Sequence, residues 1–413
     1  MIFAQRVRKG CTQTRLDTLE GGAPVTKRSR AVDVVHGTRR PFRPAEPRFE
    51  SAEQWAIGGT EAARAIACVL DGRRRSTTDR RSAVNGGTAL DGWNRHAGAQ
   101  RQKGFEMKFS ITHPIVGHPY DPELVSGVGI AAVASAAERA GFHGFGFTDH
   151  PAPTERWLHA GGHDALDPFV AMAFAAARTT RLRLIPNIVV LPYRNPFVVA
   201  KAGATLDLLS DGRFTLAAGA GYLKREFEAL GVDHAQRNEI FDEALDVLKA
   251  IWTSDDVTFE GRHFKADGIT AHPRPLSTPH PPIWIGGNSG RARERVATRG
   301  DGWCPFPAPP GVAQTARTVV LDTPERLAGA IDDLHRRLEA AQRAPGSVDI
   351  AFSTGAGGHI WSDDFNAEAH LAGIEELAAL GVTWLQVALP GDSLEHVTEA
   401  IERYGEQVIA ARA

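Results

Sequence analysis

The sequence predicts an α/β fold: a (β/α)8 barrel of the TIM type with insertions over residues 107–413, preceded by an Arg-rich, mostly disordered extension over residues 1–106. Three observations carry this. From Met107 on, short apolar runs alternate with segments whose apolar residues recur every three or four positions, the pattern of parallel strands joined by crossover helices. Eight such runs occur in 307 residues, the number and length that close a barrel. The composition also changes abruptly: residues 1–106 hold 20 of the 47 Lys and Arg but 11 of the 49 Asp and Glu, a net +9 against −11 for the remainder.

In order, the strand segments are KFSITHPI, FHGFGFTDH, LRLIPNIVVLP, RFTLAAGAG, PPIWIGG, DGWCPF, VDIAFSTG and TWLQVALP. Between them the 3.6-residue period predicts helices in LVSGVGIAAVASAAERAG, PFVVAKAGATLDLLSDG, RNEIFDEALDVLKAIWT, RARERVATRG, TPERLAGAIDDLHRRLEAAQR, AEAHLAGIEELAALG and LEHVTEAIERYGEQVIAA. Several stop at a glycine, namely Gly141, Gly212, Gly300 and Gly381, as helix ends commonly do. Residues 253–280 read as an excursion containing a short hairpin. Residues 305–322, rich in Pro, read as a loop over the barrel mouth. A doubly wound open sheet is the structural rival, but its dinucleotide fingerprint is missing after the first strand.

Residues 1–106 offer little apolar surface to offset the entropy of ordering them. The functional domain is therefore expected to begin at or near Met107, with the preceding part dispensable. Its Arg clusters suit phosphate, but no aromatic residues interleave with them, so no nucleic-acid partner is expected for the barrel. No run of eighteen apolar residues occurs, which excludes a membrane span. Cys11, Cys68 and Cys304 are too scattered for a disulfide framework or zinc site, and a reducing cytoplasm is the expectation.

The runs FGFTDHPAP, LIPNIVVLPYRNPFVVAKAGATLDLLSDGRFTLAAGAGYLKREFEALG and PPIWIGGNSGRARERVATRGDGW together resemble the luciferase-like superfamily, and within it the coenzyme F420-dependent oxidoreductases. The resemblance covers nearly all of residues 107–413. It implies a barrel that binds F420, or less often FMN, at the carboxyl ends of its strands, with a hydride moving between the cofactor and a small organic substrate. Relatives are often dimers, so a homodimer is expected.

The resemblance also assigns residues. A His commonly ends the second strand beside the cofactor ring, and His150 matches it. An imidazole titrating near neutrality can exchange a proton there. Asp149 either orients His150 or bonds backbone groups, and the Asp–His pair also suits plain capping of the next segment. Relatives carry a non-proline cis peptide in the third strand, which here would join Asn187 to Ile188; they usually have Gly where this chain has Asn. Arg194, in the PYRNP turn, is a candidate to cover the ring or pair with a carboxylate.

At the end of the fourth strand, Gly219, Ala220, Gly221 and Tyr222 form a turn whose glycines let backbone approach a ligand. Some sugar-phosphate dehydrogenases of the family carry a catalytic Glu directly after the second Gly. Tyr222 in that place speaks against such a substrate. Gly286, Gly287, Asn288 and Ser289 lead from the fifth strand into a helix, whose free amides and dipole favour an anion such as the F420 phosphodiester. Arg291 or Arg293 would add charge, and a Ser cap on a Gly-rich turn accounts for the same letters. His113 and His118 flank the end of the first strand, without the His-x-His pair of a barrel metallohydrolase, so no metal is expected. Two rivals stand beside the F420 reading: an FMN-dependent monooxygenase working with a reductase, and a non-catalytic F420-binding protein.

Overall fold

The computed structural model describes residues 107–117 and 119–412. The extension over residues 1–106 and His118 lie outside the described residues, and with them the expectations placed there.

Every predicted strand segment forms a parallel strand. In chain order they are β1 (Lys108–Thr112), β2 (Gly144–Gly146), β3 (Arg183–Leu184), β4 (Val189–Val190), β5 (Leu216–Gly219), then, after the antiparallel hairpin β6 (Val257–Glu260) and β7 (Lys265–Ile269), β8 (Ile283–Gly286), β9 (Gly302–Cys304), β10 (Asp349–Phe352) and β11 (Trp384–Val387). The parallel sheet runs β3-β2-β1-β11-β10-β9-β8-β5-β4. Its two end strands are successive pieces of one stretch, interrupted at residues 185–188. A parallel bridge joins Leu184 to Phe214, with Leu184 N–H donating to Arg213 O (2.9 Å) and Thr215 N–H to Leu184 O (3.0 Å), so the sheet closes into a cylinder of eight staves. An open doubly wound sheet is thereby excluded.

The crossover helices begin where the chain supplies a cap. Ser126 caps α1 (Gly127–Arg139), Thr154 the short α2 (Glu155–His159) and Asp167 α3 (Pro168–Ala176). Asn195 caps α4 (Pro196–Leu209), with Pro at the first helical position. Next come α5 (Lys224–Ala229), α6 (Arg237–Thr253), α7 (Gly290–Arg299) capped by Ser289, α8 (Pro310–Thr315), α9 (Pro324–Ala340), α10 (Ala367–Ala379) and α11 (Leu394–Tyr404). Gly141, Gly212 and Gly381 end their helices at positive φ (90°, 77° and 96°), where a side chain would be strained. Gly300 differs: its φ is −103°, and an added Cβ would meet Ile285 Cγ1 at 3.0 Å, so close packing of helix on strand fixes it. The period did not reveal α3, because PFVAMAFAA is apolar on every side.

Inside the barrel Ile185, Ala217, Trp284, Cys304, Ala351 and Trp384 form a buried apolar cluster, with Ile188 packed against it. Trp284 and Trp384 meet edge to face at 5.2 Å. Their bulk is offset by small neighbours: a Cβ on Gly302 would sit 2.3 Å from Trp284, and one on Gly144 3.1 Å from Trp384. Trp303, one residue on from Gly302, belongs instead to the layer between strands and helices. The loop after β9 is tied to the carboxyl end of β8 by Asn288, whose amide bonds Phe306 and Val319.

Candidate functional site

The strands of β1 and β2 deliver their last residues to the carboxyl rim, the edge where barrels of this type collect their chemistry. In GFGFTDHP, Phe145 and Phe147 point into the helical layer. Gly146 has no room for a side chain, since a Cβ would lie 1.7 Å from Ile185 O. The chain then leaves the sheet, and Asp149 and His150 project from the rim.

His150 is held by a carboxylate that sequence reasoning missed. Its Nδ1–H donates to Glu226 Oε2 at 3.2 Å; the Tyr193 hydroxyl donates to the same oxygen at 2.7 Å, and Ala152 N–H to Oε1 at 2.9 Å. Glu226, in the first turn of α5, is fully buried, and the His150 side chain is 10% exposed. Burial works against ionisation of Glu226, but the bonds from His150, Tyr193 and Ala152 outweigh it and hold the carboxyl below its ordinary range. Burial, then the bond to Glu226, pushes the Tyr193 phenol upward, so it stays a proton donor. An ionised carboxylate only accepts, so Nδ1 carries the hydrogen and Nε2 is left for exchange. The imidazole packs against Trp157 (ring centroids 4.6 Å apart), His163 (5.0 Å) and Tyr222 (6.1 Å).

Of the two roles expected of Asp149, orienting His150 or bonding backbone, the structure shows the second. Its oxygens accept from Val190 N–H (2.9 Å) and from Arg194 Nη2 (2.9 Å), while Arg194 Nη1 reaches Asp167 (2.9 Å). The Asp149 carboxylate thus fixes β4 and the PYRNP turn, and Glu226 takes over the orientation of His150. Arg194, sandwiched between two carboxylates and lying over Phe169, pairs with acids and does not project as a lone loop cation.

The Asn187–Ile188 peptide bond is cis. The Asn187 amide donates to Thr112 Oγ1 at 2.9 Å, tying the third stave to β1. Ile188 explains two of the rim glycines named above: a Cβ on Gly219 would lie 2.2 Å from Ile188 Cδ1, and one on Gly286 2.4 Å. Their space is filled by this side chain. Gly221 (φ 73°) would meet Val190 at 2.5 Å, whereas Gly287 (φ 107°) would meet only Ala292 Cβ at 3.8 Å, which leaves the space above that turn open. Ala220 and Tyr222 continue the turn after β5, both half-buried. Ser289 accepts from Ala292 N–H, and the Asn288 side chain is buried in its contacts to the β9 loop. Arg291 pairs with Asp242 and Arg293 with Asp333, so neither offers free charge at this turn.

His113, at the end of β1, is buried; its Nε2–H donates to Leu124 O at 2.7 Å, and Nδ1 has no hydrogen-bond partner. Burial lowers its pKa from 6.5 to about 4, against the raising effect of the Leu124 bond. An unfolded chain therefore binds a proton that the folded one refuses, and stability falls as pH drops from about 6.5 toward 4, by roughly 2–3 kcal/mol in all. Urea unfolding at pH 7 and pH 4.5 should show this acid loss reduced by that amount in His113→Gln; an unchanged pH dependence would refute it.

Beside His150 a cleft of about 330 Å³ is bounded by Ile115, Tyr120, Val125, Asp164 and Leu166, among others. The Tyr120 hydroxyl donates to Asp164 at 2.7 Å, and that bond chiefly pushes its pKa up to about 12. Cys304 is buried inside the barrel, and burial pushes its thiol upward, an environment that disfavours the thiolate. Among the described residues no group of three His, Cys, Asp or Glu could hold a metal ion, and no helix is long and apolar enough to cross a membrane.

A closed parallel barrel with an oriented imidazole, a glycine turn and a cleft at its carboxyl rim is a (β/α)8 architecture whose candidate site lies at that rim. Residues 107–380 match the family of luciferase-like monooxygenases, and the chain belongs to that family. An uncharacterized protein of Mycobacterium tuberculosis is 31% identical over 214 residues, 49% of this chain and 72% of the relative. The FMNH2-dependent dimethylsulfone monooxygenase of Pseudomonas putida is 33% identical over 175 residues (41% and 46%). The F420-dependent glucose-6-phosphate dehydrogenase of Nakamurella multipartita is 33% identical over 217 residues (51% and 62%). The chain thus spans about half to two thirds of these last two. The crystal structure of the monooxygenase RslO1 from Streptomyces bottropensis shares the fold, with a TM-score of 0.59, 23% identity and coverage of 74% of this chain and all of that one.

Proposed function

We propose that this protein is an oxidoreductase that moves a hydride between coenzyme F420 and a small organic substrate, with His150 exchanging the accompanying proton. The observation that carries the reading is the His150–Glu226–Tyr193 cluster, which fixes one imidazole tautomer at the rim beside a cleft. The rim suits a flat anionic redox group. Half-buried Ile188 offers an apolar platform, the space above Gly287 is open, and the first-turn amides of α7 favour negative charge. Ile188 would meet the ring system, and Gly287, Asn288 and Ser289 would hold the phosphate through backbone. When bound, the deazaflavin supplies the hydride acceptor or donor. An alcohol that loses a hydride from carbon also loses a proton from oxygen. Nε2 of His150 receives it, and Nε2–H returns it in the opposite direction. Glu226 offsets the charge that the imidazolium gains.

FMN serving a monooxygenase is the second reading, supported by the FMNH2-dependent relative at equal identity. Melting temperatures in the presence of F420, reduced F420, FMN and reduced FMN separate the two. A form present at about 100 times its Kd should stabilise the fold by about 2.7 kcal/mol. Stabilisation by F420 alone is expected; stabilisation by FMN alone would favour the rival, and by neither would overturn both.

A further inference from the structure

We propose that the outer face of α3, with the adjoining faces of α1 and α4, is the surface on which a second copy of this chain docks about a two-fold axis. PFVAMAFAA is apolar on every side, the composition of a helix covered all round, yet one side of α3 meets solvent. Val170, Ala173, Phe174 and Ala177 stand exposed there, at the spacing of a single helix face. α3 lies between α1 and α4, and a Cβ on Gly127, the first residue of α1, would meet Phe174 Cε1 at 3.0 Å. The apolar strip continues on both neighbours, through Val128 on α1 and through Val198 and Leu209 on α4. Among the described residues, Leu209 (74%), Val128 (71%), Val198 (67%) and Val170 (63%) are the most exposed of all the large hydrophobic residues.

The lack of charge sets this face apart. α3 holds no Asp, Glu, Lys or Arg, whereas α9 holds seven and α11 four. On α4, Lys201 donates to His272 O at 2.6 Å, and Asp207 is buried against Ser277. Charge returns at the edges, with Asp167 before α3, Arg178 after it and Arg139 at the end of α1. An apolar centre inside a polar rim is the anatomy of a protein interface. Val128, Val170, Phe174, Val198 and Leu209 together expose on the order of 600 Å², the upper limit of patches left bare on monomers and close to the roughly 800 Å² per partner of a standard interface. Charge also selects the occupant. An uncharged face can meet its own copy, as a two-fold contact requires, without opposing like charges. The net −11 of residues 107–413 disfavours an anionic lipid surface, and the Arg-rich residues 1–106, at net +9, offer little apolar sequence to match the face.

Light scattering on the full chain should give twice the 44.5 kDa of one chain. A two-fold contact carries every substitution twice, so Phe174→Glu and Val198→Glu should each weaken association by roughly 10²-fold or more. Val312→Glu, on α8 in the loop after β9 and 44% exposed, should leave the mass unchanged. Val198→Cys supplies a readout that does not depend on disrupting the contact. Its thiol should be shielded from N-ethylmaleimide in the associated protein and should react on dilution or when combined with Phe174→Glu, with labelling at residue 198 read by mass spectrometry. A single-chain mass, association untouched by both Glu variants, or a Val198→Cys that reacts freely in the associated protein would overturn the proposal. A single-chain mass with Val198→Cys still shielded would overturn it in favour of cover by residues 1–106.

Discussion

His150→Ala is expected to slow turnover by about 10²-fold or more while leaving cofactor affinity within a few-fold of the unaltered protein. The expectation follows from placement. The imidazole is oriented by a buried carboxylate and lines the cleft, but its role toward the cofactor is proton exchange and not grip. Glu226→Gln keeps a hydrogen-bonding group and removes the charge, so it should lower kcat by about 10-fold with little change in KM. A purely structural Glu226 would instead change stability and leave kcat alone. Glu226 adds stability of its own: its carboxyl is held below the ordinary value, so the contribution is present above the usual glutamate range and lost as pH falls through the lowered pKa. Steady-state kinetics and cofactor titration check both variants. Full activity in His150→Ala would remove His150 from the reaction.

Gly286→Ala is expected to destabilise the protein by roughly 1–3 kcal/mol and to weaken cofactor binding, because the new methyl would lie 2.4 Å from Ile188 Cδ1 and displace the platform. Gly219→Ala, at 2.2 Å from the same atom, should behave alike. Ile188→Val deletes Cδ1 and nothing else. Combined with Gly286→Ala it should recover much of the loss, a coupling of about 0.5–3 kcal/mol in a double-mutant cycle read by urea unfolding. Strict additivity would mean that the glycine serves something other than Ile188. These variants separate two explanations that the letters IGG and AGAG leave together: backbone approaching a ligand, and backbone making room for a neighbouring stave.

The parts of the fold that were legible in the sequence share a physical cause. Parallel barrel strands are buried on both faces, so each reads as a short, mainly apolar run, and all eight were visible. Amphipathic crossover helices showed their period, and glycines at positive φ marked three of their ends. α3 escaped because a helix apolar all round has no period to detect. In the site, the position of His150 at the rim followed from the end of β2. Glu226 did not, because in KREFEALG it looks like one more charge on a solvated helix, equivalent to its neighbour Glu228. Only the packing of α5 onto the loop after β2 shows that one is fully buried and the other 44% exposed.

By itself, then, the sequence determined the architecture and the rim on which chemistry would gather, because local burial and turn chemistry are written in consecutive residues. Tertiary structure alone decided who partners whom. It gave His150 to Glu226 instead of Asp149, Arg194 to two carboxylates, and the room beside Gly219 and Gly286 to Ile188. Such pairings join residues tens of positions apart, and their energy comes from desolvation and contact that exist only once the cylinder has closed.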